Sequence, residues 1–136
     1  MVNLILASHG DLSKGILNST MMITGDLHKN VETFSLYPGE NPLDYADELK
    51  NRIMRTKDTW IIIADIQGGS VHTTLLQLTA LDNVIVFSGM NLNLVLGIML
   101  DDYEDLSEDH LRTIVDEARA GITCKKQIEA QLEDEF

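Results

Sequence analysis

The sequence predicts an α/β fold: a small, doubly wound, mostly parallel sheet with helices on both faces. The first observation is that short apolar runs alternate with helix-like patterns, in the order β-α-β-α-β-α-β-α. The second is that residues 4–7 and 60–64 are apolar at every position, as in strands buried on both faces. Such alternation favours parallel strands joined by right-handed crossovers.

The elements follow from apolar periodicity and from the turn residues between the runs. A further helix follows the fourth strand–helix pair, and residues 122–124 are compatible with a short edge strand. The predicted strands span residues 2–8, 31–36, 59–64 and 83–88, and the predicted helices span residues 12–24, 42–55, 71–79, 92–100 and 108–120. The helix at 92–100 is so apolar that we expect it to be buried against the sheet or against another subunit.

The helix boundaries follow from residues that favour helix ends. Small polar residues cap helix N-termini, proline fits the first turn, and glycine ends a helix. The predicted N-caps are Asp11, Ser70 and Ser107, the predicted first-turn proline is Pro42, and the predicted terminating glycines are Gly25 and Gly121.

Composition indicates one globular domain and excludes several classes of partner. The chain has 136 residues, of which 44% are hydrophobic, and a net charge of −12. Nucleic acid and anionic membrane surfaces are therefore not expected as partners, because both require a basic face. Cys124 is the single cysteine, so no disulfide framework is expected. The N-terminus has no signal-peptide pattern, and we expect a cytoplasmic location.

Two ionisable residues mark the predicted site. His9 follows the first buried strand and Asp65 follows the third, and each is succeeded by a glycine-containing turn. If these strands are neighbours, both side chains lie at the carboxyl edge of the sheet, where doubly wound proteins bind ligands. A carboxylate that accepts a proton from one imidazole nitrogen leaves the other nitrogen free as a nucleophile. The pair therefore suits phosphoryl transfer through phosphohistidine.

The turns around this pair carry groups that suit a phosphoryl ligand. Backbone amides of Gly10, Gly68 and Gly69 and the hydroxyl of Ser70 are candidate phosphoryl-binding groups. His72 could flank the same crevice, although a solvent-facing helical histidine is the simpler interpretation. The spacing of the four histidines does not predict a metal site.

The motifs Ile5-Leu6-Ala7-Ser8-His9-Gly10, Pro38-Gly39-Glu40 and Asp65-Ile66-Gln67-Gly68-Gly69-Ser70 resemble a known family. It is the enzyme IIA component of the mannose family of the bacterial phosphoenolpyruvate-dependent sugar phosphotransferase system. The resemblance extends over roughly residues 1–124, so we expect a IIA domain over 1–125 and an acidic tail over 126–136. The family pattern commonly has proline or an asparagine-containing pair after the Gly-Gly-Ser or Gly-Gly-Thr turn, whereas this chain has Val71-His72.

The resemblance implies a phosphotransferase that acts in sugar transport. His9 would accept a phosphoryl group from the phosphocarrier protein HPr and pass it to a histidine of a separate enzyme IIB subunit. Asp65 would orient the imidazole, and Ser70 would hydrogen-bond the phosphoryl group. The resemblance also implies a homodimer that exchanges a short antiparallel edge strand, for which residues 122–125 are the matching segment. The membrane would be reached only indirectly, through the transporter components. Since the donor is already activated, we expect no cofactor and no metal.

Three alternative functions place different demands on the residues around His9. A histidine phosphatase needs an arginine directly before its histidine to clamp phosphate, and Ser8 occupies that position. A response-regulator receiver needs an acidic pair after its first strand, which Ser8-His9 is not. A regulatory module of the same fold, phosphorylated on His9 without feeding a transporter, stays open at the level of sequence.

Overall fold

The computed structural model describes residues 1–26 and 30–127, and this part of the chain forms a four-stranded sheet and five α-helices. Residues 128–136 of the predicted acidic tail lie outside the described residues. The strands are β1 (Val2–His9), β2 (Val31–Leu36), β3 (Thr59–Ala64) and β4 (Val84–Phe87). The helices are α1 (Leu12–Thr24), α2 (Pro42–Met54), α3 (Ser70–Leu76), α4 (Leu92–Met99) and α5 (Glu108–Ala120), and a 3-10 turn, Gln77–Ala80, follows α3.

The sheet is parallel throughout, with strand order β2-β1-β3-β4. Ala7 of β1 is in register with Phe34 of β2 on one side and with Ala64 of β3 on the other. The chain moves outward from β1 to β2 and then crosses back to β3, so the winding direction reverses beside β1. The predicted doubly wound α/β class is confirmed. His9 and Asp65 therefore lie at the same edge of the sheet.

Alternating residues of the central strands face two separate apolar layers. Leu4, Leu6, Ile61 and Ile63 pack with α1, α4 and α5 on one face, whereas Ile5, Ala7 and Ile62 pack with α2 and α3 on the other. Residues 4–8 of β1 and 60–64 of β3 are buried, because helices cover both faces of the sheet and strands flank both edges of this pair. This enclosure gives the site a rigid base.

The apolar character of α4 is explained within one chain. Leu94, Val95, Ile98 and Met99 are buried, and they join the cluster between the sheet and α5. We expected α4 to be buried against the sheet or against another subunit, and it packs against the sheet. No helix within residues 1–26 and 30–127 is long and apolar enough to cross a membrane.

Residues 122–125 form no strand in the single chain. Ile122 is exposed, and its backbone N–H donates to the carbonyl of Arg119 at the end of α5. The edge strand expected over 122–124 is therefore not formed by one chain alone, because no neighbouring strand is there to pair with it. Its exchange between two subunits stays a prediction.

Candidate functional site

The pairing of β1 with β3 brings His9 and Asp65 into direct contact. Oδ2 of Asp65 lies 2.7 Å from Nδ1 of His9 and accepts the His9 backbone N–H at 2.7 Å as well. The other carboxylate oxygen, Oδ1, accepts the backbone N–H of Ile66 at 2.9 Å. Both oxygens are thus held, and the carboxylate cannot rotate without breaking a hydrogen bond. The two candidate residues predicted to meet do so.

The environment of Asp65 keeps its carboxylate ionised. Partial burial by itself raises the pKa of Asp65, but the hydrogen bonds from the His9 backbone, the His9 ring and the Ile66 backbone together hold that pKa below its ordinary value. An ionised carboxylate is an acceptor only, so Nδ1 of His9 carries the proton. In the neutral ring, Nε2 then has a lone pair and is the nucleophilic nitrogen.

Nε2 of His9 faces the hydroxyl of Ser70 at 3.1 Å. Since Nε2 is unprotonated, the Ser70 hydroxyl donates to it. The His9 side chain is 50% exposed whereas that of Asp65 is 8% exposed, so the nucleophile is accessible and its orienting partner is shielded. A shielded carboxylate, an imidazole and a hydroxyl that are joined by successive hydrogen bonds are chemically suited to transferring a group at Nε2.

Ser70 does not cap α3, contrary to the expectation from sequence. Gly69 occupies the N-cap position, and Ser70 is the first helical residue, with its hydroxyl directed to His9. A Cβ at Gly69 would lie 2.8 Å from Cγ2 of Ile66 and 3.6 Å from Cε1 of His9. This position therefore needs glycine because a side chain would collide with Ile66, whereas its contact with the imidazole would be an ordinary one.

The three glycine amides expected to bind phosphoryl oxygens already have acceptors within the chain. The Gly10 N–H donates to the Leu36 carbonyl at 2.8 Å, and the Gly69 N–H donates to the Ile66 carbonyl at 3.2 Å. The Gly68 N–H donates to a side chain, Nδ1 of His72, at 3.0 Å. Phosphoryl binding by Gly10, Gly68 and Gly69 thus requires exchange of existing hydrogen bonds and stays a prediction.

The turn from β1 into α1 is organised by Ser8 rather than by the expected cap, Asp11. The buried hydroxyl of Ser8 accepts the N–H of Ser13 at 2.9 Å and donates to the carbonyl of Gly10 at 3.1 Å. The side chain of Asp11 makes no capping hydrogen bond to α1. Gly10 has a φ of +57°, a left-handed conformation that glycine adopts without steric cost. His9 is therefore held from both sides, by Asp65 and by a fixed turn.

An open cleft of about 440 Å³ lies in front of His9, lined by Gly10, Tyr37, Glu40 and Ser70 among others. Glu40 accepts the backbone N–H of Tyr37 at 2.7 Å, which braces the loop between β2 and α2. The Tyr37 hydroxyl donates to the Asp11 carboxylate and accepts from the Lys14 ammonium at 2.8 Å. The hydrogen bond to Tyr37 is the main reason that the pKa of Lys14 is raised.

Sequence reasoning missed this network at the rim of the cleft. Asp11 and Lys14 are three residues apart on one helix face, which was a usable signal, but nothing in the sequence placed Tyr37 beside them. His72 was expected to face solvent, whereas it is half-buried and hydrogen-bonded to Gly68. In the described part of the chain, no group of three or more histidine, cysteine and acidic side chains is arranged to hold a metal ion.

Comparison with known proteins identifies the family of this chain. The family model described as the PTS system fructose IIA component matches residues 3–115, and PTS denotes the phosphotransferase system. The chain belongs to this family of IIA components. It is 34% identical over 113 residues to the sorbose-specific IIA component of Klebsiella pneumoniae, and the match covers 82% of each chain.

Solved structures agree with the fold. A putative sugar phosphotransferase system permease from Klebsiella pneumoniae superimposes with a TM-score of 0.76 at 26% identity and 90% coverage of both chains. The mannose/sorbose-specific IIA subunit from Enterococcus faecalis gives a TM-score of 0.79 at 20% identity, covering 93% of this chain and 96% of that one. The chain is a IIA component of a sugar phosphotransferase system, and IIA components are phosphotransferases.

Proposed function

We propose that this IIA component accepts a phosphoryl group on Nε2 of His9 from phosphorylated HPr and donates it to a histidine of a separate IIB subunit. The observation that carries this proposal is the 2.7 Å contact of Asp65 with Nδ1, which leaves Nε2 free to attack. In this site, Asp65 orients the His9 ring through Nδ1, and the Ser70 hydroxyl contacts the reacting nitrogen Nε2.

The transfer step needs no further reactant. Nε2 of His9 attacks the phosphorus of HPr phosphohistidine, the phosphorus–nitrogen bond of the donor breaks, and its electron pair returns to the donor imidazole. The proton on Nδ1 of His9 stays in its hydrogen bond to Asp65, so the new phosphohistidine is stabilised by the carboxylate. Transfer to IIB is the same step with His9 as the leaving group.

Ser70 supports both directions of transfer. Its hydroxyl donates to the Nε2 lone pair at 3.1 Å before the reaction. Once Nε2 is phosphorylated, that lone pair is used, and the hydroxyl turns to a phosphoryl oxygen. Because Ser70 already lies beside Nε2, rotation of its hydroxyl is the only rearrangement that this hydrogen bond requires. The half-exposed ring and the open cleft leave room for a protein donor to approach.

The partner assignments extend the same proposal. Besides HPr and a separate IIB subunit, we propose a cytoplasmic location and a homodimer, the latter through exchange of residues 122–125. These residues are exposed and form no strand in the single chain, so they are available to pair with a second copy. Sedimentation equilibrium tests the dimer: a truncation after Gly121 is expected to be monomeric, and a dimeric truncation would contradict the exchange.

Phosphorylation is tested with phosphoenolpyruvate, enzyme I and HPr, followed by intact-mass measurement at neutral and then acidic pH. We expect one acid-labile phosphoryl group that is absent in His9→Ala. We then expect the isolated phosphoprotein to lose this group when a cognate IIB subunit is added. No modification by active HPr would contradict the proposal. Phosphorylation without onward transfer to any IIB protein of the same organism would instead support the regulatory module.

A further inference from the structure

His72 contacts the turn that carries both functional partners of His9. It is the third residue of α3, it is half-buried, and its Nδ1 accepts the Gly68 N–H at 3.0 Å. Gly68 has a φ of +77°, so the chain reverses sharply there between Asp65 and Ser70. The ring of His72 therefore ties the tip of this turn to the helix that follows it.

The position of this turn determines the position of Ser70. The Ile66 N–H donates to the Asp65 carboxylate and the Gly69 N–H donates to the Ile66 carbonyl, so both of these hydrogen bonds lie within the turn itself. The bond from Gly68 to His72 instead joins the turn to α3. Gly69 also lies beside the His9 ring, since a Cβ built on it would be 3.6 Å from Cε1 of that ring, so the turn sets the distance between α3 and His9. Movement away from it would separate Ser70 from Nε2.

We propose that His72 is a positioning residue for phosphoryl transfer, with its neutral ring holding the Gly68 amide so that the Ser70 hydroxyl stays at Nε2 of His9. The inference rests on the proposed function of His9. It also fixes the tautomer of His72. Since Gly68 N–H is a donor, Nδ1 of His72 accepts and its proton lies on Nε2. Two histidines of one site thus have opposite tautomers, with Nδ1–H on His9 and Nε2–H on His72.

Three variants separate positioning from bulk packing. His72→Asn places Oδ1 close to where Nδ1 stands and keeps an acceptor, whereas His72→Leu fills similar space without one. Thr73→Ala, at an exposed neighbour on the same helix, is the matched control. We expect His72→Leu to lower kcat for transfer from phospho-HPr roughly fivefold, the effect of about one neutral hydrogen bond, with KM unchanged. We expect His72→Asn and Thr73→Ala to stay within about twofold of the wild type.

The kcat and KM values of the two His72 variants decide whether this residue positions Ser70. A His72→Leu variant with the wild-type kcat, or a His72→Asn variant as slow as His72→Leu, would overturn the proposal. A change confined to KM would do so as well, since it would mean that His72 contacts the partner instead of positioning Ser70.

The tautomers test the hydrogen bond without relying on transfer. Long-range ¹H–¹⁵N spectra of the wild type at about pH 8, where an ordinary imidazole is neutral, are expected to show Nδ1–H for His9 and Nε2–H for His72. An Nδ1–H tautomer of His72 would overturn the proposal even if every variant folds poorly. If the wild type is not phosphorylated by HPr while His72 shows Nε2–H, the proposed function fails and the hydrogen bond stands.

Discussion

Replacing Asp65 with asparagine removes the orienting charge and keeps the size of the side chain. In the native site, Oδ2 accepts both N–H groups of His9, and Oδ1 accepts the N–H of Ile66. Asparagine has one oxygen and one NH₂ group for these two positions. Whichever way the amide is turned, its NH₂ group meets an N–H donor: Ile66 in one orientation, the backbone and ring of His9 in the other.

The magnitude follows from the bonds that are weakened. If the NH₂ group faces His9, the ring must accept at Nδ1 and carry its proton on Nε2, which blocks attack. If the oxygen faces His9, the tautomer is kept, but a hydrogen bond to a charged acceptor is lost, which is worth about 1.5–3 kcal/mol. We therefore expect Asp65→Asn to transfer roughly ten- to a hundredfold more slowly than the wild type.

Rapid-quench measurement of phosphoryl transfer from phospho-HPr is the assay. The matched control is Asp101→Asn, because Asp101 also contacts a histidine, Nε2 of His110 at 2.7 Å, but follows the C-terminus of α4, far from the carboxyl edge of the sheet. The control should transfer at the wild-type rate. A wild-type rate in Asp65→Asn would refute the tautomer argument.

The same variant has a defined pH dependence of stability. The pKa of Asp65 is below its ordinary value of 3.8 in the folded protein, so the stabilisation that its ionised form provides is present above that value. It is lost as the pH falls through the folded-state pKa. The difference in the free energy of unfolding between wild type and Asp65→Asn should therefore shrink in acid, and a difference that grows in acid would contradict this assignment.

Further predictions concern stability. Ile62→Ala removes a fully buried side chain from a central strand and should lower the free energy of unfolding by about 2–5 kcal/mol in urea denaturation; a loss below ~1 kcal/mol would contradict the packing described. Gly10→Ala meets no atom within 4 Å but must adopt a φ of +57°, so backbone strain alone should cost about 1–2 kcal/mol by the same measurement, and an unchanged stability would refute the left-handed turn. The hydrogen bond to Asp101 is the main cause of the raised pKa of His110, so this pair stabilises the protein below the ordinary histidine pKa of 6.5 and loses its effect as the pH rises through the folded value. Thermal unfolding of Asp101→Asn should accordingly differ most from wild type in mild acid and least in alkali, and the reverse order would show that the pKa assignment is wrong.

The fold and the main pair of site residues were predictable because they depend on strong patterns. Runs of consecutive apolar residues over 4–7 and 60–64 are typical of central strands, and His9 is the last residue of the first strand whereas Asp65 directly follows the other. The glycine-rich turn placed Ser70 close to the same point. Strand adjacency, the one assumption the pair required, is confirmed by the register of β1 with β3.

The hydrogen bonds in the turns were less predictable, because several small polar residues near each helix start could accept the same backbone N–H. Ser8 and Asp11 could both cap α1, and the buried Ser8 does so because its hydroxyl is already within the turn. On α1, the apolar Met22 is exposed, whereas Thr20 is buried with its hydroxyl donating to the Leu17 carbonyl. A polar residue satisfied by its own helix takes a buried position that periodicity assigns to an apolar one.

The nitrogen at which His9 becomes phosphorylated tests the central claim most directly. Long-range ¹H–¹⁵N spectra of the protein phosphorylated by enzyme I and HPr assign the modified ring atom, because the phosphorylated nitrogen can no longer carry a proton. The Asp65 contact at 2.7 Å predicts the phosphoryl group on Nε2 and a proton retained on Nδ1. A phosphoryl group on Nδ1, or on a histidine other than His9, would contradict the claim that Asp65 directs phosphoryl transfer to Nε2 of His9.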